Sequence, residues 1–160
     1  MTNPTTATAL AVGAAAPDFT LASTRGTPFT LSSLRGEKAA LLCFFPLAFT
    51  STCTAEMCEL SEDFDRFTSG NVEVFGISVD SVATLREFKA KHAMKVDFLS
   101  DFKRVVTRKY DLLIEEKFYS KRAYYLIDKS GTVVWMHIEE HPGLRRPTGE
   151  LLAAIEQLPE

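Results

Sequence analysis

Cysteine is scarce in this chain, with three in 160 residues. A number so small and odd argues against a secreted disulfide framework and for a cytoplasmic protein whose thiols rest reduced. No apolar run is long enough to span a bilayer. The early stretch "ALAVGAAAP" is weakly apolar, but no Lys or Arg precedes it, which is not the pattern of a cleaved signal peptide. The formal net charge is only -3, so general attraction to nucleic acid or to an anionic membrane is excluded as a theme. "LRRP", Leu144 to Pro147, is too short to be a nucleic-acid patch. His92, His137 and His141 are scattered and share no ligand spacing with the cysteines, which excludes a recognisable metal site. There is no Gly-rich phosphate loop and no G-x-S-x-G. No cofactor is expected.

What is present is ordinary for one globular domain: 46% apolar and 24% charged residues, over a length that fits one unit spanning residues 1–160. Residues 1–12 read as a loose tail. "DFTL" and "FTL" around the turn-like "ASTRGTP" predict a short hairpin. The run Ala39 to Phe45 is continuously apolar, between Gly36 and Pro46, and predicts a central strand buried on both faces. Met57, Leu60, Phe64 and Phe67 form a helical stripe from Thr54 to Phe67. A second buried strand follows over 72–79, then a helix capped by Ser81. "VDFLS" reads as a strand, "FKRVVTRKYDL" as a helix, and "RAYYLID" with "TVVWMHI" as a hairpin. Thr148 caps a final helix. This alternation predicts a three-layer α/β domain with a mixed sheet flanked by helices.

The chemistry concentrates at "PLAFTSTCTAEMC". Cys53 falls between a buried strand and the helical stripe, and Thr50, Ser51 and Thr52 are capping types. Free backbone N–H groups and the positive end of the helix dipole favour an anion there, and the thiolate is the nucleophilic form. The carboxyl end of a strand in an open α/β sheet is also where ligands bind. Cys43, inside "LLCFF", reads as an inert core thiol.

Pro46, Thr50 and Cys53 stand at the spacing PxxxTxxC. With "APDFTL" before and "RAYYLIDKSG" after, the chain from about Ala16 to the last helix resembles the peroxiredoxins, thiol peroxidases of thioredoxin-like fold. Cys58, five residues after Cys53, is similar to the Q-type (bacterioferritin-comigratory) branch, whereas "PLAFT" is similar to the alkyl-hydroperoxidase E-like branch. The resemblance implies that Cys53 is the peroxidatic thiolate, that Thr50 and Arg122 donate into the reacting space, and that Pro46 shields the sulfur. Glu56, one turn after Cys53, either pairs with Arg122 or faces solvent.

Cys58 is the implied resolving thiol. Five residues of intact helix separate the two Cα atoms by roughly 8.6 Å, beyond the roughly 7 Å reach of a disulfide. A Cys53–Cys58 bond therefore requires the segment around 52–58 to unwind. The alternative is that Cys58 only packs and an external thiol resolves Cys53. The implied partners are a hydroperoxide and thioredoxin or a similar thiol reductant, with the chain a monomer or a homodimer. Two other functions stay open: a disulfide reductase, disfavoured because CxxC is missing, and a redox-sensing binding or holdase protein.

Overall fold

The computed structural model describes residues 10–158. Residues 1–9 of the expected tail lie outside the described residues. In chain order the elements are β1 (Thr20–Ser23), β2 (Phe29–Thr30), a 3-10 turn at Leu31–Leu34, β3 (Ala39–Phe44), α1 (Ser51–Glu62), α2 (Phe64–Ser69), β4 (Val72–Ser78), α3 (Val82–Lys91), β5 (Asp97–Ser100), α4 (Val105–Lys109), β6 (Leu113–Ile114), β7 (Tyr119–Ser120), β8 (Ala123–Ile127), β9 (Val133–Ile138) and α5 (Thr148–Glu156).

Among the described residues, seven strands form one mixed sheet in the order β2-β1-β5-β4-β3-β8-β9. β3, β4 and β5 run parallel. β8 runs antiparallel to β3, β9 to β8, and β1 to both β5 and β2. β3 is buried along its whole length, and its side chains alternate between two cores, as the two-residue period of a strand requires. Leu41 and Cys43 join Met57, Leu60, Phe67, Phe88 and Leu151 beneath α1, α2, α3 and α5. Ala40, Leu42 and Phe44 join Phe29, Phe75, Val106 and Tyr110 on the other face. The helix–sheet spacing is tight where α1 crosses: a Cβ on Gly76 would stand 2.7 Å from the Phe98 ring and 3.1 Å from the Met57 sulfur. Glycine is required there by close approach. Among the described residues, no helix is long and apolar enough to cross a membrane.

Three local expectations need correction. The single stripe from Thr54 to Phe67 is two helices, interrupted at Asp63, whose φ of -95° and ψ of 10° leave the helical region. The Asp63 carboxylate accepts a 2.6 Å bond from the Thr148 hydroxyl. Thr148 is accordingly the first residue of α5 and not its cap, because its oxygen is turned to Asp63 and Pro147 holds the cap position. α4 is only five residues long, bounded by left-handed backbone at Arg104 and Asp111. Its start is held by the buried Asp101 carboxylate, which accepts from the backbone N–H of Val106 and from the backbone and hydroxyl of Thr107. Ser81 does cap α3, accepting from the Thr84 N–H at 3.1 Å.

Candidate active site

The sheet brings three elements together at one edge. β3 ends at Phe44, and the chain turns through buried Pro46 to start α1 at Ser51, so Cys53 occupies the first turn of that helix. Pairing of Phe44 with Ala123 sets the start of β8 beside the end of β3, and Arg122, the residue before Ala123, arrives at the same edge. Glu56 follows Cys53 by one turn of α1 and lies on the same helical face. The connecting loop is fixed from below. Asp80, just past β4, accepts from the Ala48 N–H at 2.8 Å and from the Ser78 hydroxyl at 2.7 Å. Phe49 takes a left-handed φ of 70°.

Cys53, Arg122 and Glu56 are 1%, 1% and 2% exposed. One guanidinium nitrogen, Nη2 of Arg122, donates to the Cys53 Sγ at 3.0 Å. The other, Nη1, donates to Glu56 Oε1 at 2.5 Å. Nε and Nη2 also donate to the Pro142 carbonyl at 3.1 and 2.9 Å. All three guanidinium nitrogens therefore donate, a planar arrangement that a lysine could not reproduce. Of the two alternatives for Glu56, pairing with Arg122 is the one observed.

The burial that makes this pair rigid also shifts its protons. Burial pushes the Glu56 carboxyl above its ordinary value, against the pull of Arg122 and of hydrogen bonds from Tyr124 and Arg122. Burial also works against the charged guanidinium of Arg122, but the charges of Glu56 and Cys53 outweigh it and hold the proton more tightly than usual. The other two thiols sit differently. Burial, with Glu56 nearby, raises the Cys43 thiol well above its ordinary range. Burial and the Glu62 charge raise that of Cys58. Both are neutral thiols at pH 7, and all three cysteines are unbonded.

Thr50 stands at the N-cap position of α1 in extended backbone but makes no side-chain cap bond. Its hydroxyl donates to the Leu47 carbonyl at 2.8 Å, so the proton expected to point into the reacting space is committed to the loop. Cys58 is half-buried in the middle of an unbroken α1, on a different face from Cys53.

Several contributors carry no sequence signal strong enough to mark them. Tyr124 donates its hydroxyl to Glu56 Oε2, and its own oxygen accepts from the Arg146 N–H at 3.0 Å. Arg145 pairs with Glu59 of α1 at 2.7 Å, and Arg146 with the buried Glu139 at 2.8 Å. The "LRRP" segment is thus a structural strap across the site. The one available hint for Tyr124 was its spacing, two residues after Arg122 on one face of a strand.

A buried thiol touched by a guanidinium at the carboxyl edge of a mixed α/β sheet is a site built for thiol chemistry, since a fixed positive charge stabilises negative charge that forms beside it. The AhpC/TSA family profile matches residues 12–136, and the chain belongs to that family. It is similar to peroxiredoxin 2 of Thermoplasma acidophilum, 37% identical over 131 residues that make up 78% of this chain and 65% of that protein, so the match spans just under two thirds of that relative. It is similar to alkyl hydroperoxide reductase E of Mycobacterium tuberculosis, at 33% identity over 84% of this chain and 88% of the relative. The reduced 2-Cys peroxiredoxin of Plasmodium vivax superposes with a TM-score of 0.84 and 32% identity, over 91% of this chain and 80% of that one. The fold is accordingly the thioredoxin-like α/β fold of peroxiredoxins, as the family resemblance implied, and its mixed sheet flanked by helices is what the sequence pattern predicts.

Proposed function

We propose that this chain, as one peroxiredoxin domain, is a thiol peroxidase that reduces hydrogen peroxide and alkyl hydroperoxides. The observation that carries the reading is the 3.0 Å contact between Arg122 Nη2 and the Cys53 sulfur, with Glu56 fixing the other arm of the same guanidinium. The Cys53 thiolate attacks the terminal oxygen of the hydroperoxide. A sulfur–oxygen bond forms as the O–O bond breaks, and the departing alkoxide or hydroxide takes up a proton to leave as alcohol or water. Sulfur is oxidised to the sulfenic acid level and the peroxide is reduced. Negative charge passes from sulfur to the leaving oxygen, and the Arg122 fork, already placed, stabilises it along the way. Thr50, with its proton committed to Leu47, offers its oxygen to the hydroperoxide O–H, which orients the substrate. Pro46 shields the sulfur from bulk water.

The sulfenic acid then condenses with the Cys58 thiol, releasing water and forming a disulfide. Intact α1 keeps the two Cα atoms roughly 8.6 Å apart, so the segment between them unwinds first. Glu56 lies inside that segment and must leave Arg122 as it does so. An external dithiol, for which resemblance favours thioredoxin, reduces the disulfide and lets the helix re-form. The setting we infer is cytoplasmic, with the protein a monomer or a homodimer.

Peroxide consumption with a thiol reductant, followed by mass spectrometry under denaturing conditions, tests this reading. Cys53→Ser is expected to abolish consumption, and peroxide-treated wild type is expected to carry a Cys53–Cys58 link. Undiminished consumption by the variant overturns the peroxidase reading. A persistent sulfenic acid or external mixed disulfide with no internal link overturns only the role of Cys58.

A further inference from the structure

Resting on the peroxidase reading above, we propose that Tyr124 is a positioning residue of this site, whose hydroxyl holds Glu56 in the orientation that aims Arg122 at the Cys53 sulfur. Glu56 has two carboxylate oxygens, and the structure divides them. Oε1 accepts from Arg122 Nη1 at 2.5 Å, and Oε2 accepts from the Tyr124 hydroxyl. The carboxylate is therefore bound on one side only by the guanidinium. This matters because an arginine and a carboxylate left alone prefer a two-point fork in which both terminal nitrogens face both oxygens. Such a fork would draw Nη2 away from the sulfur. With Oε2 occupied by Tyr124, Nη1 alone serves Glu56, and Nη2 is released to Cys53 at 3.0 Å.

Tyr124 is itself fixed. It is fully buried and lies on β8 opposite Cys43 of β3, so its ring cannot swing. Its oxygen accepts from the backbone N–H of Arg146 at 3.0 Å, which directs its single proton toward Glu56. The strap that supplies this N–H also supplies the Pro142 carbonyl to Arg122 and is anchored by Arg146 to Glu139 and by Arg145 to Glu59. Burial, with Glu56 beside it, raises the proton affinity of the Tyr124 hydroxyl, so it stays a donor throughout the working pH range. The groups that face Glu56 are Arg122 just before β8, Tyr124 on β8, Cys43 from β3 and Arg145 from the strap, and Cys53 on its own helix shares the Arg122 guanidinium with it. Only Arg122 and Tyr124 hydrogen-bond to it among the described residues.

The neighbouring tyrosine provides an internal control. Tyr125 points to the opposite core, and its buried hydroxyl has no hydrogen-bond partner. The same substitution at two adjacent positions therefore removes one hydroxyl that the site uses and one that it does not.

The test is the rate of Cys53 oxidation by hydrogen peroxide in a single turnover of the reduced full chain, as a function of pH. Tyr124→Phe is expected to slow oxidation by about tenfold, as for a hydrogen bond to a charged group whose loss is transmitted in part. It also moves the acid limb of the profile to higher pH, because Glu56 loses a bond that favours its ionised form. Tyr125→Phe is expected to leave rate and profile unchanged. The double variant Tyr124→Phe with Glu56→Gln is expected to be no slower than Glu56→Gln alone, since both act through one carboxylate. 3-Fluorotyrosine placed at position 124 keeps the ring, makes the hydroxyl a stronger donor, and is expected to move the acid limb to lower pH; this arm decides the matter if Tyr124→Phe does not fold. A wild-type rate and profile in Tyr124→Phe, full additivity in the double variant, or no displacement with fluorotyrosine overturns the proposal. Each of these results differs from survival of activity in Cys53→Ser, which overturns the peroxidase reading instead.

Discussion

Glu56 and Asp97 both accept hydrogen bonds from arginine, yet their carboxyl groups respond in opposite directions. Burial raises Glu56 despite Arg122 and Tyr124. Burial works to raise Asp97 too, but bonds from Lys89, Arg25 and Thr24 outweigh it and hold the group below its ordinary value. The difference is one of position. The Glu56 and Arg122 side chains are 2% and 1% exposed, whereas Asp97 is 16% and its partner Arg25 39% exposed. Asp97 is half of a wet network, in which Lys89 bonds it at 2.7 Å, Arg25 at 2.9 Å, and Arg25 reaches on to Glu73 at 2.5 Å. A half-exposed pair keeps its water and its stability; a buried pair gives up water to fix a geometry. The first ties β5 to its surroundings, and the second aims one nitrogen at one sulfur.

Removing one partner from each network is the strongest way to separate them. Glu56→Ala leaves the Arg122 charge buried without its counterion and is expected to cost about 3–5 kcal/mol in denaturant unfolding of the reduced protein. Asp97→Asn removes the hub of the exposed network and is expected to cost about 1 kcal/mol, a loss that shrinks in 1 M salt because screened pairs contribute less. Equal costs would mean that burial does not distinguish the two sites.

Stability measured against pH gives a smaller effect, but its sign discriminates. The folded value of Asp97 lies below its ordinary 3.8. The unfolded chain binds its proton first as pH falls, so the contribution is complete above the ordinary value and is lost as pH drops through the folded one. Glu73 is likewise lowered: burial opposes, and bonds from Arg25 and Lys38 prevail. For Glu56 the folded value lies above the ordinary 4.5. Here the folded protein binds the proton first, and stability falls as pH rises from the ordinary value through the folded one. Asp97→Asn is therefore expected to flatten the acid side of the curve, and Glu56→Gln to remove a decline above it. Displacements of the same sign in both variants would contradict this assignment.

The strands and the cysteine site were legible because their causes are local. An apolar run between Gly36 and Pro46 can only be buried, and a cysteine before a helical stripe falls in the first helical turn. What escaped has distant causes. Asp63, where the helix breaks, bonds to Thr148, 85 residues away in sequence. The short α4 follows from left-handed backbone at Arg104 and Asp111, residues that carry no glycine to announce it. Glu56 could be read as paired or solvated because helix spacing does not say what β8 brings to it. Nothing local to "RAYYLID" separates Tyr124 from its neighbour Tyr125, and only the carboxylate opposite makes its hydroxyl matter. "LRRP" resembled nothing chemical, yet its two arginines fasten the strap to Glu59 and Glu139.

The Arg122 fork acts, on the proposed reading, in the first chemical step, and its speed is the most direct measure of the site. Stopped-flow oxidation of the reduced protein by hydrogen peroxide, read as a second-order rate constant beside that of a free cysteine thiolate, measures what the Arg122 fork does for the Cys53 sulfur. A rate orders of magnitude above the free thiolate, lost in Cys53→Ser, is the predicted result; a rate equal to that of free cysteine contradicts it.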